Sequence, residues 1–201
     1  RLSLVRQVAD DGATYFGPFA RRATAELAQL ALHDAFPIRQ CTSRLSPKKP
    51  SGRCALGDLG RCLSPCDGSV TVADYATLVD ALRTCLTTDL RPVLTAHRRR
   101  LALLVSQQRF EEAGQLITRL ETVVRAATRR HRLSALAQCP QIVAAEQSAT
   151  GWQIHVIRHG RLAAAALARP GDVPQVVARA AVAASDMVAA NNDSNSTFDD
   201  G

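Results

Sequence analysis

Apolar residues recur every three or four positions through most of the chain, a spacing typical of amphipathic helices. The pattern predicts five helices, over residues 21–35, 71–85, 92–106, 110–137 and 173–190. Thr71 to Asp74 resembles a capping box in which Asp74 takes the position usually held by Glu. Residues 107–109 form a bend between two of the helices, which are therefore expected to make a helical hairpin.

Shorter apolar segments near both ends of the chain predict β-structure. Residues 2–6 and 14–16 are predicted to be strands joined by a turn at 10–12. After Pro140 the periodicity changes, and it predicts strands over 141–146, 151–158 and 161–168. The predicted fold is mainly α with small β elements: an N-terminal β-hairpin remnant, a cysteine-cluster loop, a helical hairpin, and a small C-terminal β unit plus helix.

Residues 39–69 form a long segment with many Gly and Pro residues and little periodicity. A loop of this length is unusual in a compact domain unless something other than a hydrophobic core organises it. The segment contains four of the six cysteines, Cys41, Cys54, Cys62 and Cys66. A metal centre bound by these four side chains would organise the loop.

Thiolates bind Zn²⁺ and iron–sulfur clusters, whereas Mg²⁺ and Ca²⁺ require oxygen ligands. Zinc ribbons usually contain two short cysteine pairs, but only Cys62 and Cys66 form one here, which favours a [4Fe–4S] cluster over zinc. Disulfides are the alternative, because six cysteines is an even number. A reducing cytosol disfavours them. Cys85 and Cys139 lie in or after predicted helices and are typical of small core residues.

The net charge of +7 is unevenly distributed along the chain. Through Pro140 there are 21 Lys and Arg against 12 Asp and Glu, or +9, and from Gln141 onward 4 against 6, or −2. This asymmetry favours a polyanionic partner, with DNA as the first candidate. The alternative is that the Arg residues simply lie exposed on solvated helix faces. The basic residues expected to contact DNA phosphates surround the cysteines: Arg39, Arg44, Lys48, Lys49, Arg53 and Arg61.

The sequence contains no run of 18 apolar residues and no charged-then-apolar leader, so we expect neither a membrane span nor a signal peptide. The predicted location is cytoplasmic. The start at Arg1 has the appearance of a cut through a longer polypeptide. Residues 191–201 are polar and are not expected to order themselves.

Several motifs, in the same order along the chain, resemble the excinuclease subunit UvrC. YFGPF at 15–19, FPIRQC at 36–41 and GRCLSPCDG at 60–68 are similar to the segment that follows its GIY-YIG nuclease domain. Residues 101–113 resemble the UVR helical hairpin motif, and 157–162 resemble the strand pair after it. Residues 37–40 and 55–60 are most similar to actinobacterial proteins that join a DEDD exonuclease to GIY-YIG and UvrC-like regions. The resemblance covers residues 1–168.

The resemblance implies a [4Fe–4S] centre on the same four cysteines. It also implies a domain organisation: 1–20, the end of a GIY-YIG-like nuclease domain; 21–88, helices and the four-cysteine Fe–S cluster loop; 89–138, a UVR-like hairpin; 139–190, a small α/β unit; and 191–201, a tail. The family's GIY-YIG catalytic residues would lie upstream of Tyr15, and its carboxylate-rich C-terminal nuclease is not recognisable here. No catalytic residue is therefore identified in this chain.

Apolar residues of the hairpin are candidates for docking a UvrB-like protein or a second copy of the chain, as the resemblance suggests. They are Leu101, Leu104, Phe110, Ala113 and Leu120. Packing within the hairpin is the alternative. The Arg–Asp pair of the UVR pattern falls at Ile117 and Thr118, so the docking surface is altered.

The function predicted from the sequence is a noncatalytic, DNA-binding and structural segment of a UvrC-like DNA-repair nuclease, either a nucleotide-excision-repair excinuclease or a DEDD exonuclease fusion. The alternative is a zinc-binding adaptor module that recruits a partner protein through its helical hairpin. A redox sensor, whose DNA affinity changes with cluster oxidation, is a third hypothesis. Metal content distinguishes the first two.

Overall fold

The computed structural model describes residues 1–46 and 49–188 of the chain. Its elements, in chain order, are α1 (Arg22–Ala35), α2 (Ala55–Asp58), α3 (Val72–Thr87), α4 (Arg91–Ser106), α5 (Phe110–Gln138), β1 (Ile142–Ser148), β2 (Gly151–Arg158), β3 (Arg161–Ala168) and α6 (Pro174–Ala184). The prediction of a mainly α fold with small β elements is confirmed. The chain forms two compact units, and the boundary between Thr128 and Arg129 lies inside α5.

The core of the first unit is formed by apolar side chains of α1, α3, α4 and α5. The buried residues are Ala28, Ala31, Leu32, Phe36, Ile38, Leu82, Cys85, Leu86, Val93 and Val123. Burying a large apolar side chain contributes about 1.5–3 kcal/mol, so this cluster is the main source of stability in the unit. Phe36 and Ile38 follow α1 directly, and they fix the point at which the cysteine-rich loop begins.

The start of α3 fixes the other end of that loop. Thr71 and Asp74 form a complete capping box, in which the Asp74 N–H donates to Thr71 Oγ1 at 3.1 Å and the Thr71 N–H donates to the Asp74 carboxylate at 3.4 Å. One residue later, the Tyr75 hydroxyl accepts a hydrogen bond from the Arg39 backbone N–H at 2.9 Å. The start of the loop is therefore joined directly to the first turns of α3.

The second unit is a three-stranded antiparallel sheet in the order β1-β2-β3, and α6 packs against β2 and β3. Ile154 and Val156 of β2 are completely buried. The β2–β3 turn has positive φ at both His159 (49°) and Gly160 (76°), as a tight type I′ hairpin turn requires. The predicted C-terminal β unit followed by a helix is confirmed.

The predicted N-terminal β-hairpin is wrong, because the described residues before Ile142 contain no strand. Two short segments without a third strand make a marginal sheet at best. The N-terminal segment packs on the helices instead, through Leu2, Phe16 and Phe19. The Phe16 and Phe19 rings meet edge to face with their centroids 5.9 Å apart.

The last helix is shorter than the sequence predicts, since α6 ends at Ala184. The Asp186 N–H donates to the Ala163 carbonyl of β3 at 3.3 Å, and the Arg158 guanidinium donates to the carbonyls of Val182 (3.4 Å) and Asp186 (3.2 Å). These contacts direct the chain out of the helix. Residues 189–190 of the predicted helix, and the predicted tail at 191–201, lie outside the described residues. Among the helices described, none has the length and apolar character needed to cross a membrane.

Candidate metal centre

The cysteine loop, residues 39–69, is anchored to the helical core at several points. Ile38, just before it, is 1% exposed. Within the loop, the Leu63 N–H donates to the Pro37 carbonyl at 3.0 Å, and the Ser51 N–H donates to the Cys66 carbonyl at 2.7 Å. The described part of this segment is therefore held by main-chain hydrogen bonds, although its sequence predicts neither helix nor strand.

The short helix α2 brings distant parts of the loop together. Cys54 is its N-cap, and the Cys54 carbonyl accepts N–H groups from Gly57 at 2.8 Å and Asp58 at 3.1 Å. A Cβ atom on Gly57 would lie 2.0 Å from Ser64 Oγ, so only glycine permits this approach. Ser64 is completely buried and has a φ of +54°. The Gly57–Ser64 contact therefore sets the α2 turn against the segment that carries Cys62 and Cys66.

The four thiols of the loop differ in exposure. Cys62 is 6% exposed, Cys66 is half-buried, and Cys41 and Cys54 are exposed. Burial raises the pKa of the Cys62 thiol, a hydrogen bond from the Ser64 N–H at 3.3 Å opposes this, and the charges of Cys54, Cys41 and Cys66 raise the pKa further. Cys62 is thus the buried thiol of the loop, and the Ser64 N–H is its hydrogen-bond donor.

The donor set fits a thiophilic centre. All four cysteines are free thiols, and Cys85 and Cys139 are free as well. Within the described ranges, no three or more Cys, His, Asp or Glu side chains form a group that could hold a metal ion as they stand. Binding of a metal centre by Cys41, Cys54, Cys62 and Cys66 therefore remains a prediction.

Three of the predicted DNA-contacting arginines have partners inside the protein. Arg39 Nη2 donates to the Cys41 carbonyl at 3.0 Å and also to the Ser43 carbonyl. Arg53 Nη2 donates to the Gly57 carbonyl at 2.9 Å. Arg61 Nη2 forms an ion pair with Asp34 at 2.9 Å. These hydrogen bonds and this ion pair hold the loop in its conformation.

The remaining basic residues of that predicted set differ from these three. Arg44 and Lys49 are exposed and form no ion pair within the described part of the chain. Lys48 lies outside the described residues. Contact between DNA and all six basic residues remains a prediction.

Asp34, in the last turn of α1, is a residue of this site that the sequence analysis missed. Its Oδ1 accepts from Arg61 and its Oδ2 from Arg119 Nη1 of α5, both at 2.9 Å. A signal was available, since a carboxylate at a helix C-terminus opposes the helix dipole and needs a compensating partner. The partners themselves lie 27 and 85 residues away and have no local signature.

The predicted docking residues of the hairpin fall into different environments. Leu101, Leu104 and Ala113 pack with one another and Leu116 inside the hairpin. Leu120 packs against the main core. Phe110 is 64% exposed. Docking through these residues remains a prediction. Phe110 is the most exposed of the five.

The helical core and the cysteine loop lie in a UvrC-like segment of the chain. Residues 1–85 match the family model described as UvrC/Cho excinuclease, middle domain. The resemblance to UvrC is thus confirmed, and these residues are a UvrC-type middle-domain segment.

Individual relatives extend the likeness beyond that segment. UvrABC system protein C of Leptospira biflexa (strain Patoc 1 / Ames) is 36% identical over 124 residues, which are 60% of this chain and 20% of that protein. The Dehalococcoides mccartyi (strain CBDB1) protein of the same name is 28% identical over 176 residues, 88% of this chain and 25% of that protein.

A Mycobacterium tuberculosis (strain CDC 1551 / Oshkosh) protein, provisionally named a bifunctional exonuclease/endonuclease, is 33% identical over 181 residues, 88% of this chain and 27% of that protein. The chain thus spans between 20% and 27% of the length of these relatives. No solved structure matches it.

Proposed function

We propose that this chain is the noncatalytic, DNA-binding and structural segment of a UvrC-like DNA-repair nuclease. In this proposal Cys41, Cys54, Cys62 and Cys66 hold a [4Fe–4S] cluster. The observation that carries it is that residues 1–85 match the UvrC/Cho middle-domain model and include all four of these free thiols, on a loop tied to the helical core by main-chain hydrogen bonds. Cutting is assigned to parts of the longer protein that the chain does not include, because the chain spans at most 27% of the relatives described above.

The structural part of the proposal concerns the two ends of the loop. Cys41 lies three residues after the buried Ile38, and Cys66 lies five residues before the N-cap Thr71. A bound cluster would supply four iron–thiolate bonds, and cross-linking a loop in this way contributes to folding free energy. The Ser64 N–H at 3.3 Å from Cys62 Sγ is the type of hydrogen bond that tunes the potential of such a centre.

The DNA-binding part depends on charge held in a fixed array. Through Pro140 the chain carries a net charge of +9, from 21 basic and 12 acidic residues. Arg44 and Lys49 lie between Cys41 and Cys54, so a cluster that binds both cysteines would also fix the segment that carries these charges. Phosphate contacts of this kind position a protein on DNA without reading its sequence.

The [4Fe–4S] proposal is tested by metal content in a cysteine panel. Anaerobically purified wild-type protein is expected to absorb broadly near ~400 nm and to contain iron and sulfide. Serine substitution of Cys41, Cys54, Cys62 or Cys66 should remove the absorbance. Cys139→Ser is the matched control, since Cys139 is a half-buried thiol outside the loop, and it should keep the absorbance.

Two results would contradict the assignment. Wild-type protein without iron and sulfide would rule out the cluster. Absorbance that survives serine substitution at any one of the four positions would remove that cysteine from the ligand set. Colourless protein that contains zinc, lost in the same four variants, would retain the site and replace the cluster by Zn²⁺, as in the adaptor alternative.

A protein partner at the hairpin is a second component of the proposal. Phe110, Ile117 and Val124 are exposed on α5 and recur at intervals of seven residues. A heptad stripe of apolar residues is typical of a helix that packs against another helix. We assign this stripe to a UvrB-like protein, with self-association of the chain as the competing outcome.

A further inference from the structure

A single carboxylate joins the cysteine loop to the hairpin helix. Asp34 Oδ1 accepts from Arg61 and Asp34 Oδ2 accepts from Arg119, each at 2.9 Å. The Asp34 side chain is only 14% exposed and that of Arg119 27%. Asp34 and Arg119 are therefore partly sheltered from the solvent and salt that weaken surface ion pairs, whereas the Arg61 side chain is 48% exposed.

One of the two arginines is next to a proposed ligand. Arg61 immediately precedes Cys62, and its backbone N–H donates to the Leu56 carbonyl at 2.8 Å, which closes the turn after α2. The Leu63 N–H is bonded to the Pro37 carbonyl at 3.0 Å. The main chain on both sides of Cys62 is thus hydrogen-bonded to α2 and to the residue after α1, and a bond that holds the Cys62 thiol would further restrain the adjacent Arg61.

The other arginine lies within α5. Arg119 directly precedes Leu120, which packs against the main core. Asp34 stands between two positive charges, so each guanidinium is stabilised by the carboxylate that it shares with the other. An Asn at this position would keep the size of the side chain but remove the negative charge that separates two like charges.

We propose that Asp34 is a positioning residue that couples loading of the four thiols to the stability of α5 around Arg119. The inference rests on the proposed function, because it requires the cysteines to bind a metal centre. Loading fixes Cys62 and therefore Arg61. Arg61 holds Asp34, and Asp34 holds Arg119 and the turns of α5 on either side of it.

Hydrogen exchange measured by mass spectrometry, before and after anaerobic loading with iron and sulfide, tests the coupling. In the wild-type chain, loading should slow amide exchange over residues 113–122 about tenfold, the factor expected for one charge-assisted hydrogen bond. Asp34→Asn should bind the same iron and sulfide but lose this slowing. Asp80→Asn is the matched control, because among the described residues Asp80 pairs with Arg83 of the same helix, at 3.5 Å, and it should behave as wild type.

A merely structural role for Asp34 would lower protection of α5 equally in loaded and unloaded protein, and that result would overturn the proposal. So would slowing that persists in Asp34→Asn, or wild-type protein that loads without any slowing. Failure of the wild-type chain to load iron and sulfide would overturn both this proposal and the proposed function. Loading without any slowing of exchange would overturn this proposal alone. If Asp34→Asn does not fold, Arg119→Gln replaces it, since this variant keeps the Asp34–Arg61 pair. Persistent slowing in Arg119→Gln would overturn the proposal.

Discussion

At the scale of single residues, the cysteine loop depends on side chains that are not ligands. Ser64 is completely buried between Cys62 and Cys66, and its hydroxyl has no hydrogen-bond partner among the described residues. Its backbone N–H contacts the Cys62 thiol, and its side chain occupies the space that a Cβ on Gly57 would need. The placement of Cys62 therefore depends on the small size of Gly57 beside the buried Ser64. The packing of the loop shows this dependence, whereas the sequence alone does not.

Gly57→Ala should disrupt this packing. The added methyl group would lie 2.0 Å from Ser64 Oγ and 2.9 Å from Arg53 Cγ, so the loop must shift. Overpacking of this kind costs about 1–3 kcal/mol, measurable by urea denaturation of the unloaded chain. Less iron and sulfide should also be retained after anaerobic loading.

Gly52→Ala is the control for that substitution, because nothing lies within 4 Å of a Cβ at Gly52. It should change the free energy of unfolding by no more than about 0.5 kcal/mol. Equal stability of the Gly57→Ala and Gly52→Ala variants would show that the Gly57–Ser64 contact does not constrain the loop.

At the scale of elements, local signals predicted the helices well. The capping box at Thr71 and Asp74 is complete within four residues, and the bend at 107–109 separates α4 from α5 as expected. The errors arise where contacts between residues distant in the sequence determine the local structure. The segment 1–21 packs through Phe16 and Phe19 rather than pairing as strands, and α6 ends early because Asp186 bonds to Ala163 of β3.

The candidate site likewise has features that the local sequence predicts and features that depend on residues far apart in the sequence. The spacing of the cysteines identified the loop, because ligand type and separation can be read directly from the sequence. The Asp34 bridge could not be predicted, since it joins residues 27 and 85 positions apart. Arg61 illustrates the difference, because its charge suggested DNA contact whereas the fold gives it an acidic partner.

The stripe on α5 gives a prediction at this scale. Ile117→Glu should abolish binding of a UvrB-like protein, because a charge would be buried in an apolar helix–helix contact. Thr118→Glu is the control, since it adds the same charge at an exposed neighbouring position. Analytical ultracentrifugation of the chain, alone and with that protein, measures both association and self-association.

Equal binding by the Ile117→Glu and Thr118→Glu variants would contradict docking through the stripe. Wild-type protein that self-associates, and ignores the UvrB-like protein, would assign the stripe to a second copy instead.

At the scale of the whole molecule, the basic excess and the proposed metal site lie in the same part of the sequence. The basic excess lies before Pro140, whereas the residues after it carry a net −2, from 4 basic and 6 acidic residues. Arg39, Arg53 and Arg61 have hydrogen-bond or ion-pair partners within the protein, whereas Arg44 and Lys49 are exposed and form no ion pair among the described residues. Loading of the cysteines should therefore strengthen DNA binding by fixing the segment that carries these two charges.

DNA affinity as a function of salt, measured by fluorescence anisotropy on loaded and unloaded chain, tests this central claim most directly. Loaded protein should bind more tightly, and the Arg44→Glu/Lys49→Glu double variant should lower the slope of log K against log[salt] by about 1.8, or ~0.9 for each lost phosphate contact. Arg22→Glu/Arg83→Glu makes the same charge change on exposed helix faces and should leave the slope close to wild type. The claim would be contradicted if loaded and unloaded protein bound DNA with equal affinity and the two double variants had the same salt slope.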